Sequence, residues 1–177
     1  VFTIFRWNHK MKISTQTIEE ILALCASNSL ADIIKIINSY SHNATTEEGF
    51  TFSQLIFYSE NISIIDSLVK LRLIDPHSSD SYGYTPLHLA AKFNKLEIVR
   101  YILENANAKI EAKTNSGQTP LLCAVTHSDL TLIRYLIEQA GANISIQLPS
   151  GAGVAVFMQN NPNRDVIEYL TTKLHKD

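Results

Sequence analysis

Glycine returns every 34 residues through most of this chain, at Gly49, Gly83, Gly117 and Gly151. A fixed interval between 20 and 50 residues is the mark of an array of similar units, a solenoid or a propeller, rather than of one irregular globule. Glycine is the residue that enters positive φ without steric cost. Each unit is therefore expected to open at a tight turn.

The intervals between the glycines share one layout. After Gly83 runs Tyr84-Thr85-Pro86-Leu87-His88-Leu89-Ala90-Ala91, and after Gly117 runs Gln118-Thr119-Pro120-Leu121-Leu122-Cys123-Ala124-Val125. A second apolar run follows each, Leu96 to Leu103 and Leu130 to Ile137. Thr85 is a good N-cap because its hydroxyl accepts from an unpaired backbone N–H. Pro86 suits the first helical position, where a missing N–H is harmless and φ is preset. Leu87, Ala90 and Ala91 fall on one helical face. Asn94-Lys95 should end the first helix. Leu96, Val99, Ile102 and Leu103 give the second its buried stripe, with Glu97, Arg100 and Glu104 facing water. One such pair cannot bury its apolar face alone, so neighbours must stack.

The layout extends both ways. Phe50 to Phe57 and Ile62 to Val69 form a copy in which Phe52 replaces the proline. Upstream, Glu20 to Cys25 and Leu30 to Ile37 fit a helix pair, with Thr17 and Glu20 spaced as a capping box. This first pair is either a divergent end unit or a helical hairpin of another kind packed on the stack. Downstream, Gly153 to Met158 and Asp165 to Leu170 make a last, degenerate copy.

The segment Thr85 to Ala90 matches the Thr-Pro-Leu-His-x-Ala signature at every fixed position, and the chain here resembles the ankyrin repeat family. The fourth copy departs by carrying Leu122 where the signature has His. The resemblance implies an all-α solenoid of about five stacked helix-turn-helix units with projecting turns. Its repeats are expected near residues 14–46, 47–80, 81–114, 115–148 and 149–177, after an N-terminal extension over residues 1–13. Residues 1–10 alternate and carry three aromatics. They lack the layout of a signal peptide and are expected to pack over the first repeat or to serve as a docking segment. Met11-Lys12 offers one natural start, with the preceding residues then either vector-derived or read from an upstream start. The degenerate ends favour a self-contained array.

Composition narrows the function. Net charge is −2, from 15 basic and 17 acidic residues, with no long basic run, so nucleic acid is not an expected partner. No apolar run reaches membrane-spanning length. Cys25 and Cys123 fall in first helices of separate repeats and read as buried small hydrophobes rather than as a disulfide. That points to a reducing compartment, cytoplasmic or nuclear. No catalytic, cofactor or metal constellation is found. Gly151-Ala152-Gly153 lacks the strand and the Lys-Ser/Thr of a phosphate loop. His9, His42, His77 and His175 form no ligand spacing. His88 is implied by the resemblance to be structural, bonding to a turn. Tyr101, Tyr135 and Tyr169 recur in phase and are expected to pack as a ladder with hydroxyls reaching solvent.

What remains is surface. The resemblance implies two variable zones, the turn tips and the concave face of the first helices. In the second repeat these are Glu47, Glu48, Phe50, Tyr58 and Ser59. In the third they are Ser81, Tyr82, Tyr84, Lys92 and Phe93, and in the fourth Asn115, Ser116, Gln118, Thr126 and His127. In the fifth they are Ser150, Ala152, Asn160 and Asn161. Aromatics concentrate in the second and third repeats, and aromatics dominate interface hot spots. The expectation is a monomeric, non-catalytic module that binds another protein. Phe50 and Tyr84 could instead shield repeat junctions. An abundance of Ile, Asn, Ser and Lys fits an AT-rich genome, such as that of an intracellular bacterium that injects ankyrin proteins into host cytoplasm as effectors, of a protist or of a virus. The alternative is the regulatory or targeting ankyrin portion of a larger enzyme or channel.

Overall fold

The computed structural model describes residues 12–40 and 44–175. The segment 1–10 and His42 lie outside them. Among the described residues ten α-helices follow in pairs: α1 (Thr15–Ala26) with α2 (Leu30–Ser39), α3 (Phe52–Tyr58) with α4 (Ile62–Lys70), α5 (Pro86–Lys92) with α6 (Leu96–Asn105), α7 (Pro120–Val125) with α8 (Leu130–Arg134), and α9 (Val154–Phe157) with α10 (Arg164–Leu174). α8 continues into a π-helical turn, Tyr135–Gln139, and α9 into a 3₁₀ turn, Met158–Asn160. The first helices stack on one another, α5 packing between α3 and α7.

The 34-residue period is visible bond by bond. Thr46, Asp80, Thr114 and Leu148 each donate their N–H to the carbonyl four residues on, at Phe50, Tyr84, Gln118 and Ala152. Each also accepts at its own carbonyl from the N–H of the following glycine, 2.8–3.1 Å away. Gly49, Gly83, Gly117 and Gly151 close these turns with φ between +82° and +94°, a region closed to most side chains.

Helix starts and stops repeat likewise. Thr51 forms a capping box with Gln54, and Asn61, Asp129 and Asn163 cap second helices with their side chains. First helices end at left-handed residues Asn28, Glu60 and Asn94, and second helices at Arg72, Asn107 and Gly141. The capping box expected at Thr17 and Glu20 is not formed. α1 begins three residues earlier, where the Ser14 hydroxyl accepts the Thr17 N–H. The Thr17 side chain turns instead to Ser14 and to the Tyr40 hydroxyl.

The core is one continuous file of aliphatic residues, from Ile13 and Ile21 through Ile33, Ile56, Ile65, Leu87, Ile98, Leu121 and Leu132 to Val166 and Leu170. Each fully buried Ile or Leu contributes about 1.5–3 kcal/mol. Cys25 and Cys123 are buried and unpaired with each other, as expected. Burial pushes the Cys123 thiol up to about 12.

Candidate interaction surface

Much of the polar surface is consumed by bonds between repeats. Tyr101, Tyr135 and Tyr169 do not simply reach solvent. Their hydroxyls donate to Asp66, Glu104 and Glu138 of the preceding repeat, at 3.3, 3.0 and 2.9 Å. Burial, followed by the neighbouring carboxylate, raises all three phenols, Tyr101 and Tyr169 to about 12. Arg100 does not merely face water either. Its guanidinium lies 4.7 Å from the Tyr135 ring centre, and Arg134 lies 5.1 Å from that of Tyr169, the geometry of a cation–π contact.

His88 is structural in the way the resemblance implied. Its Nε2 faces the carbonyls of Ala112 and Gln118 at 3.0 and 3.1 Å, so that nitrogen carries the proton. Nδ1 then accepts from the Thr85 backbone N–H and hydroxyl. Burial holds His88 below its ordinary value and therefore neutral. Gln54, 34 residues earlier, does the same work with an amide. Its Oε1 accepts the Thr51 N–H at 2.7 Å, and its Nε2 donates to the Tyr84 carbonyl at 2.8 Å.

These bonds engage several expected contact residues, although Asn115, Ser116 and Ser150 remain exposed. The Asn115 side chain donates to the Ser81 carbonyl at 2.9 Å, and its N–H to the Tyr82 carbonyl at 3.0 Å. Gln118 accepts the Tyr84 hydroxyl. Ser116 bonds Thr114, and Ser59 bonds the Ile56 carbonyl. Ser150 accepts the Ala152 N–H. Asn161 was expected at the surface but is only 5% exposed, donating to the carbonyls of Val125 and Ser128. Phe50 is half-buried against the core. Asn160, Thr126 and His127 retain exposed or partly exposed side chains.

The remaining residues form two groups. Glu47, Glu48, Ser81 and Tyr82 line an open depression of about 630 Å³ between successive turns, with Lys12 and Arg72 also on its wall. Glu48 is held below its ordinary value by its own backbone N–H and the Thr46 hydroxyl. Tyr82 is 64% exposed.

The second group is a cluster on the first-helix face. Tyr58 and Phe93, 49% and 43% exposed, meet edge to face with ring centres 5.6 Å apart. Lys92 Nζ sits 5.7 Å from the Tyr84 ring centre and 5.9 Å from that of Phe93. Two members of this cluster escaped sequence reasoning. Lys95 lies 5.2 Å from the Tyr58 ring centre and pairs with Glu60. Glu60 adopts φ +61°, where the equivalent residues Asn28 and Asn94 bear such a backbone more easily. The signal was available, since Glu60 occupies a position where Asn recurs.

Among the described residues, no group of three His, Cys, Asp or Glu could hold a metal ion, and no helix is long and apolar enough to cross a membrane. The arrangement offers recognition through apolar edges and a cation.

Paired helices, periodic turns and bonds spanning about one repeat define a helical-repeat solenoid of stacked units. A family model for ankyrin repeats (three copies) matches residues 20–114 and again 55–147, and the chain belongs to the ankyrin repeat family. The match begins within α1 and ends before α9, so it takes in most of the first pair. No curated protein matches the chain significantly. Ankyrin repeats are generally protein–protein interaction modules.

Proposed function

We propose that this chain is a non-catalytic module that binds another protein through the first-helix face of its second and third repeats. The observation that carries this reading is the exposed Tyr58–Phe93 pair with Lys92 beside it. Large aromatic edges left in water where the fold does not need them are the usual anchors of an interface. Phe50 and Tyr84 serve mainly the junctions, by burial and by the bond to Gln118. Tyr82 belongs to the neighbouring depression and acts as a flanking contact. Buried free thiols fit a reducing compartment, cytoplasmic or nuclear. A role as an injected effector rests on composition alone.

The test is affinity capture and titration with the captured partner. Tyr58→Ala and Phe93→Ala should each weaken binding by about 1 kcal/mol or more, while the melting temperature stays close to the parent's. Tyr82→Ala should weaken it less. Unchanged affinity in both the Tyr58 and Phe93 variants removes the proposal.

A further inference from the structure

The cluster carries a charge that the fold leaves unanswered. Lys95 is matched by Glu60, and Lys35, Lys70 and Lys173 each have a carboxylate partner. Lys92 makes no ion pair among the described residues. It is exposed, and its ammonium is held beside two ring faces, Tyr84 and Phe93. The carboxylates at this end of the face are already committed. Glu60 is bound to Lys95, and Asp129 accepts the Leu132 N–H and the Asn94 amide. The positions equivalent to Lys92 in the adjacent repeats are Tyr58 and Thr126, both uncharged. Lys92 is therefore an exposed ammonium that no carboxylate pairs among the described residues, while the neighbouring Lys95 and Glu60 answer one another.

Accepting that this face binds protein, we infer that its partner presents an acidic side chain next to an apolar one. The carboxylate meets Lys92, and the apolar group covers the Tyr58–Phe93 edge. The two ring faces hold the ammonium in place beside the apolar edge, so an incoming carboxylate meets a positioned charge rather than a freely swinging one. An apolar neighbour then excludes water from the pair, the arrangement that makes a few interface contacts dominate. A basic segment is repelled at the same point. A nucleic acid would need a stripe of cations, whereas the cluster supplies one unpaired ammonium.

The probe is a display library of random short peptides selected on the whole chain, in parallel on Lys92→Glu and on Phe93→Ala. Binders to the parent should be enriched in Asp or Glu within two residues of an aromatic or large aliphatic side chain. Synthesised singly, they should lose about tenfold or more in affinity on Lys92→Glu and weaken as salt is raised. Selection on Lys92→Glu should shift toward Lys and Arg. Binders that need Phe93 but ignore Lys92→Glu overturn the acidic partner and leave the binding face standing. Binders indifferent to both variants, or a library that yields none, overturn both readings. Lys92 is exposed, so the Lys92→Glu variant should melt with the parent, and a lower melting temperature would be met by repeating the titration with Lys92→Met.

Discussion

Gln54 and His88 occupy equivalent positions 34 residues apart and solve the same problem with different chemistry. Each must accept from the N–H at the start of its helix and donate to a carbonyl of the next turn. A neutral imidazole does this only with its proton on Nε2, whereas an amide does it at any pH. Protonating His88 would place a second N–H against the Thr85 N–H. Because burial lowers the folded value below the ordinary 6.5, the unfolded chain binds the proton more readily. Stability is thus full above that value and falls as pH drops below it. The lowered carboxylates, Asp66 and Asp129 among them, act in a separate window below their ordinary 3.8. His88→Gln should keep neutral-pH stability within about 1 kcal/mol and flatten the loss that sets in as pH falls below about 6.5, read as urea midpoints. An equally steep loss in that variant would place the titration elsewhere. Glycines allow a comparable contrast. A Cβ on Gly83 would sit 2.7 Å from the Asn115 nitrogen, whereas one on Gly151 meets nothing within 4 Å. Both have positive φ. Gly151→Ala should cost about 1 kcal/mol for the backbone alone. Gly83→Ala should cost clearly more, since the turn tip must also part from its neighbour. Thermal melts that ranked them equally would contradict the close approach.

At the scale of the helix, the second helices are tied by a ladder in which each tyrosine reaches back one repeat to a carboxylate. The phenols are raised above 10.0, so the folded state holds these protons more tightly than the unfolded chain does. The stability they contribute is present below that value and lost as pH rises through and beyond it. Replacing Tyr101, Tyr135 and Tyr169 together by Phe should cost up to about 1 kcal/mol per site at neutral pH. The same variant should lose less additional stability than the parent as pH rises from about 10 toward 12. A parallel alkaline decline in both proteins would show that the hydroxyls are not coupled to folding. The ladder was half legible. The tyrosine spacing stood out, and Glu104 and Glu138 share that spacing. Periodicity shows which residues recur on a face, however, and not which rotamer carries a hydroxyl across a repeat boundary. Arg100 was misjudged for the same reason, because a long side chain with an apolar stem covers a ring as readily as it enters water. Helix pairing, turn positions and the buried stripe were legible because each follows from backbone rules: φ at glycine, capping at Thr51 and Thr119, burial at helical spacing.

Over the whole molecule, the candidate surface was legible only in outline. Asn115, Gln118 and Asn161 have the polarity of contact residues, yet the stack spends them on its own junctions. Lys95 and Glu60 join the cluster through neighbours a repeat away. The junctions themselves are unequal. Gln54 and His88 bridge the second to the third repeat and the third to the fourth, but Leu122 stands at the equivalent place in the fourth and is wholly buried, with no such bond. The fifth repeat also has the shortest first helix, and α9 and α10 together bury only Val154, Val166 and Leu170 within their spans. Among the described residues the fifth unit packs on one neighbour, the fourth, so here its stability is its own plus a single interface. Its main buried polar tie is Asn161, whose amide satisfies the carbonyls of Val125 and Ser128. Hydrogen exchange should therefore show α9 and α10 opening at lower free energy than α5 to α8. Asn161→Ala, which leaves those carbonyls without a partner at about 1–3 kcal/mol, should speed exchange in residues 154–174 and leave α3 to α6 unchanged. If α3 to α6 quickened equally, the stack would be opening as one unit, and the missing bridge at Leu122 would have no bearing on where it comes apart.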